Sequence, residues 1–264
     1  MTSKQNKSTS WGRSAEWYRK LLGEEGTYQR DVILPNLLRV LEIKKGEIIL
    51  DLGCGTGFFA REFYKLGARV AGVDVSKAMI EIARKNSPHG IEYRISSSDK
   101  LGFINSGSVD KLAIVLALQN IDRFTETLVE CGRILKPGGV LYIVLNHPAF
   151  RVPKASSWGW DIEQRAQYRR IDSYLSEAKV KIQMHPGDAP DDFTLSFHRP
   201  FQIYFKGLRK AGLAVDTLEE WISNKKSQPG PRAAAENRIR KEIPLFLLLG
   251  AVKTNVKLKS QNEK

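Results

Sequence analysis

The chain has 264 residues, of which 42% are hydrophobic, 27% charged and 9% aromatic; this excludes disordered and fibrous classes and suits one α/β domain with an elaboration. Its net charge of +13 is concentrated late, with 14 basic against 6 acidic residues after position 198, an excess that more often reflects solubility or nonspecific attraction to polyanions than a nucleic-acid site. Two cysteines, Cys54 and Cys131, give neither a disulfide framework nor metal-ligand spacing, so a reducing compartment and no metal are expected.

Residues 1–10, MTSKQNKSTS, lack the apolar core of a secretory signal and read as a disordered tail. Residues 11–44 form a helical cover: apolar residues recur at helical spacing, and Pro35 fits the first turn of a second helix. EIILDLGCGTG (47–57) runs from an apolar strand into a glycine-rich turn, and FFAREFYKLG (58–67) continues as an amphipathic helix closed by Gly67.

The pattern repeats with a strand at 68–75, a helix at 77–86, strands at 91–95 and 111–118, a helix at 125–135, and a strand at 140–146 after the turn KPGG. Such alternation predicts a parallel sheet covered on both faces across the core segment 45–146. Residues 147–200 break the rhythm with Trp, Tyr, Ser, Pro and Asp, and read as an irregular lid insertion. Order resumes over 201–254: a helix at 201–212, a strand at 213–221, a polar helix near 233–242 and a closing strand at 245–253, ahead of a basic tail, 255–264. The longest apolar run, IPLFLLLGAV, falls far short of the roughly 20 residues a membrane span needs, so the expected location is cytoplasmic and away from membranes.

Asp51-Leu52-Gly53-Cys54-Gly55-Thr56-Gly57 supplies a turn in which a polar cofactor approaches backbone amides without an intervening Cβ. Asp74 ends the second strand, where a carboxylate accepts hydrogen bonds from both ribose hydroxyls of a nucleoside cofactor. A nicotinamide site would want glycine at position 58, which is Phe.

Together DLGCGTG, GVDVS and RILKPGG resemble the class I S-adenosylmethionine-dependent methyltransferases of bacterial small-molecule type, and LFLLLGAVK resembles that family's antiparallel seventh strand. The resemblance implies a Rossmann-like α/β fold, with a seven-stranded sheet in the order 3-2-1-4-5-7-6, the last strand antiparallel, helices on both faces and a lid over the acceptor. It also implies S-adenosyl-L-methionine as cofactor. Gly53, Cys54, Gly55 and Gly57, led by Asp51, would line its methionine part, Asp74 would hold the ribose, and Val75 and Met79 would flank the adenine. The adenine amine falls to Ser97 or Asp99, with Ser98 between them, and Leu116 to Asn120, including Gln119, would face the reacting methyl.

The expected activity is methyl transfer to a small organic acceptor, preferably at oxygen. An RNA-modifying enzyme and a noncatalytic cofactor-binding domain are the rivals. LALQN (116–120) lacks the Asn/Asp-Pro-Pro-aromatic signature of base amino methylation and a Cys to attack a pyrimidine, which disfavours nucleic acid. His147 and His198 are the candidate general bases, since imidazole titrates near neutrality. Tyr18, Tyr28, Trp158, Trp160 and Arg199 are candidate acceptor contacts, although aromatics in a lid also pack it onto the sheet, and His198-Arg199-Pro200 at minimum opens a helix.

Overall fold

The computed structural model describes residue 11 and residues 15–185 and 189–254; the expected tails at 1–10 and 255–264 lie outside the described residues. Helix α1 (Ala15–Gly23) is followed by a short π-helical run, Gln29–Ile33, that passes directly into α2 (Leu34–Leu41). Pro35 sits in the first turn of α2, where its missing N–H has no intrahelical partner to lose.

The core alternates β1 (Ile48–Leu52), α3 (Phe58–Lys65), β2 (Arg69–Asp74), α4 (Lys77–Lys85), β3 (Glu92–Ile95), β4 (Val109–Val115), α5 (Phe124–Ile134) and β5 (Leu135–Asn146). After an insertion come α6 (Phe201–Lys210), β10 (Leu213–Trp221), α7 (Ala233–Glu242) and β11 (Phe246–Lys253). Seven strands form one sheet in the order β10-β11-β5-β4-β1-β2-β3. The last strand, β11, is antiparallel to both β5 and β10, as the family resemblance implies.

Both faces of this sheet are apolar because both are covered. Leu37, Phe63, Ile80 and Leu248 belong to the core under α2, α3 and α4, whereas Leu112, Leu128, Leu208 and Leu249 belong to the core under α5 and α6. Each fully buried Leu or Ile contributes about 1.5–3 kcal/mol, which is why strands such as FLLLGAVK read as continuous apolar runs. The carboxyl ends of β1, β2, β4 and β5 then lie along one edge, with the amino end of β11 beside the end of β5: Phe246 pairs with Asn146.

Two expectations need correction. The fourth strand ends at Val115, not 118, because Leu116 turns to φ 52° and Leu118–Asn120 form a 3-10 turn. The insertion is not irregular: it forms two antiparallel hairpins, β6 (Ser156–Asp161) with β7 (Ala166–Ile171) and β8 (Ala178–His185) with β9 (Ala189–His198). Two-stranded ribbons outside the main sheet carry no strong alternation for sequence reading to detect.

Candidate active site

The turn after β1 is shaped by its glycines. Gly53 has φ 76°, and a Cβ there would lie 2.5 Å from the Ala117 Cβ; Gly55 has φ 51°. A side chain at 53 would therefore be strained and would also collide with the segment that follows β4. The Gly53 and Cys54 amides donate to Val73 O at 2.7 and 3.1 Å, which fastens the turn to β2.

Asp74, the last residue of β2, accepts from Gly55 N at 3.0 Å on Oδ2 and from Ser76 N at 2.8 Å on Oδ1. Burial raises its pKa, and those amides oppose the rise by stabilising the carboxylate. Ser76 caps α4 through Met79 N; Met79 is buried and Val75 exposed. Around β3, the Ser97 hydroxyl donates to Asp99 Oδ1, Asp99 pairs with Arg123 at 2.7 Å, and the hydroxyls of Ser98 and Thr127 are 2.8 Å apart.

Asp51 lies beneath the turn at 1% exposure, and its Oδ2 has no hydrogen-bond partner among the described residues. Burial, reinforced by the charge of Asp74, pushes its pKa up to about 7. Tyr18 covers the other side, with its Cε1 3.7 Å from where a Gly55 Cβ would stand and Trp11 edge-on at 5.6 Å. Burial pushes the Tyr18 phenol up to about 12, so it remains protonated at neutral pH. Cys54 is buried with a raised thiol pKa, which removes it as a nucleophile.

Beyond β4, Leu116 holds a left-handed backbone, uncommon for a bulky side chain and frequent at functional turns. Gln119 Oε1 accepts from Asn146 N at 3.3 Å, which ties this loop to the end of β5. Tyr28 reaches the same edge: its ring meets Phe246 edge-on at 5.8 Å, and its hydroxyl is 3.0 Å from Ser223 Oγ.

Both candidate histidines are buried and hydrogen-bonded through their rings. His147 is 1% exposed; its Nε2 lies 2.7 Å from Glu220 Oε1 and its Nδ1 accepts from Ala149 N at 3.3 Å, so both nitrogens are engaged. His198 is buried with Nε2 2.7 Å from Tyr174 O. Arg199 donates to the carbonyls of Ile121 and Asp122 at 2.8 and 3.4 Å and stacks on Phe124 and Phe197. Both His198 and Arg199 line a groove of about 590 Å³ between α5, α6 and the second hairpin, whose lining includes no residue of the glycine turn. Trp158 lies against Arg169 and Trp160 against Arg232, so both tryptophans have protein partners in the hairpin region.

A methyltransferase-domain family model matches residues 50–143, the span from β1 through most of β5. A solved S-adenosylmethionine-dependent methyltransferase from Mesorhizobium loti is similar over 86% of this chain and 100% of its own, with TM-score 0.69 and 27% identity. The chain carries a class I S-adenosylmethionine-dependent methyltransferase domain. Curated relatives of this methyltransferase domain include a ubiquinone biosynthesis O-methyltransferase of Nitrosococcus oceani, 37% identical over 42% of this chain and 47% of its own length. A demethylmenaquinone methyltransferase of Tropheryma whipplei is 35% identical over 42% and 46%. The chain spans about half the length of these curated relatives.

The methyltransferase turn fits its cofactor on this structure's own terms. A Cβ-free cradle at Gly53 and Gly55 adjoins the partnerless Asp51 oxygen, an acceptor suited to a cationic amino acid moiety. The raised pKa of Asp51 gives this fit a measurable sign. Because the folded value, about 7, exceeds the ordinary 3.8, folding retains a proton across that window, and the stability it contributes falls as pH rises through it. An ammonium bound beside Asp51 would expel that proton. S-adenosylhomocysteine affinity is therefore expected to rise about tenfold from pH 6 to pH 8. Calorimetry in buffers of different ionisation heat should show proton release below pH 7; a flat profile without release would remove Asp51 from the cation's contacts.

Sequence reasoning missed Asn146, Phe150, Arg151 and Glu220, which shape the edge around His147. One signal was available: Arg151 follows His147 by four residues, the spacing of one helical turn, and its N–H donates to His147 O at 2.8 Å.

Proposed function

We propose that the protein transfers a methyl group from S-adenosylmethionine to an oxygen of a small organic acceptor. One observation carries the reading: the glycine cradle with its orphan acid opens on the same sheet edge as the strained Leu116, with Tyr18 covering it. The O-methyltransferase among the relatives supports oxygen as the attacked atom, and both named relatives support a small acceptor.

In this reading the Asp74 carboxylate, already oriented by two amides, holds the ribose hydroxyls. Ser97 takes the adenine amine on its free lone pair, since Asp99 is committed to Arg123. S-adenosylmethionine supplies an activated methyl on a sulfonium. The chain's contribution is alignment and exclusion of water: Leu116 and Gln119 set the acceptor position, Tyr18 closes the cofactor side, and the two hairpins act as the lid. Neither His147 nor His198 serves as base; both are positioning residues with buried, partnered rings.

Incubating the protein with isotopically labelled S-adenosylmethionine and a metabolite extract, followed by mass analysis, tests this directly. A low-mass product gaining one labelled methyl is expected, and label confined to the macromolecular fraction would refute it. RNA modification is the second reading, favoured by the exposed Lys225, Lys226, Arg232, Arg238 and Lys241 on and before α7. It requires a mobility shift of bulk tRNA that survives physiological salt.

A further inference from the structure

We infer that Arg151 and Arg169 form a binding site for an oxyanionic group, a carboxylate or phosphate, carried by the acceptor; this rests on the methyltransferase reading above. The site is built on the turn His147–Arg151. His147 fastens that turn to the sheet, its N–H donating to Leu245 O at 2.9 Å and its Nε2 lying against Glu220 of β10. Phe150 and Phe201 pack on its ring at 4.7 and 5.6 Å.

From this turn Arg151 extends along the carboxyl edge, donating to Asn146 Oδ1 at 2.7 Å, with its guanidinium 5.8 Å from the Phe246 ring. Phe246 in turn meets Tyr28, so the arginine and two aromatic rings share one wall. Arg169, from β7, donates to Phe150 O at 2.8 Å and to Ser156 Oγ at 2.6 Å and lies over Trp158.

Neither of these two neighbouring arginines has a counter-ion among the described residues. Arg19, Arg39, Arg123, Arg133 and Arg170 each pair with a carboxylate, whereas the described contacts of Arg151 and Arg169 are to neutral oxygens and rings. The two are also close enough to repel. Arg151 is exposed to solvent, yet crowding by protein and the charge of Arg169 both lower its pKa, and burial lowers that of Arg169. Two neighbouring guanidinium forks held by neutral oxygens rather than by carboxylates match the geometry of an oxyanion.

The position suits an acceptor. Asn146 ends β5, bonded to Gln119 of the loop after β4, and β5 lies two strands from the glycine turn. At ~4.8 Å per strand this puts the arginine edge on the order of 10 Å from the turn. An acceptor bridging that distance carries its anionic group several ångströms from the attacked oxygen, with Tyr28 and Phe246 beside its body.

The test uses the full chain saturated with S-adenosylhomocysteine and titrated calorimetrically with benzoate, phenyl phosphate and the neutral benzamide. Wild type is expected to bind one of the two anions at least about tenfold more tightly than benzamide. The preferred anion identifies carboxylate or phosphate. Arg151→Gln should abolish the preference, and Arg151→Lys, which keeps charge but loses the fork, should keep part of it. Equal binding of all three probes by wild type, or anion binding unchanged in Arg151→Gln, would overturn the site. Affinity for S-adenosylhomocysteine is measured first: its absence in wild type would sink the methyltransferase reading itself, whereas intact binding without anion preference sinks only the arginine site.

Discussion

Asp74→Ala is expected to weaken S-adenosylhomocysteine binding by at least about a hundredfold. If Asp74 holds the ribose as proposed, two hydrogen bonds to its carboxylate would account for about 3 kcal/mol or more, since each charge-assisted bond contributes about 1.5–3 kcal/mol. A further loss comes from the turn itself, because Asp74 also holds the amides of Gly55 and Ser76, and without it two backbone donors lose their acceptor. Asp74→Asn separates the two contributions: the amide oxygen keeps one acceptor but not the charge, so an intermediate loss is expected. Calorimetric titration of both variants measures this. Unchanged affinity in Asp74→Ala would place the ribose elsewhere.

The second large effect concerns Arg199, a residue with no contact to the glycine turn. Arg199→Met is expected to lower stability by about 3 kcal/mol, by leaving the Ile121 and Asp122 carbonyls without their charged donor and removing two ring contacts. For a chain of this size that lowers Tm on the order of 10 °C. Its partners, Ile121 and Asp122, directly follow the Leu116–Asn120 segment, so methyl-transfer turnover should fall with little change in cofactor affinity. Thermal unfolding gives the first readout, and single-turnover assays beside cofactor titration give the second. A Tm within 1–2 °C of wild type would show that water satisfies those carbonyls and that Arg199 is not a structural tie.

Much of the cofactor half was legible in the sequence because it is local. Gly53 to Gly57 lie within one turn, and the strand that ends at Asp74 is the next in the chain and pairs with β1. The strand order also follows from connections that leave few alternatives once strands and helices alternate. The acceptor half was less legible for the opposite reason. The described strands of hairpins β6–β7 and β8–β9 show no firm period, and the carboxylate partner of His147, Glu220, comes from β10, 73 residues away.

His198 and Arg199 show the difference most directly. Their residue types suggest chemistry, and the sequence correctly marks Pro200 as the helix entrance. Only the packing of β9 against the loop after β4 directs the guanidinium onto backbone carbonyls.

By itself the sequence marked a candidate cofactor turn, because a glycine turn and a strand-end carboxylate impose their geometry within a few residues of backbone. The tertiary structure alone decided which histidines are hydrogen-bonded on the ring and which arginines meet neutral oxygens rather than carboxylates. Those properties depend on side chains meeting from distant segments, and hydrogen-bond satisfaction and charge neutralisation are settled only when those segments pack together.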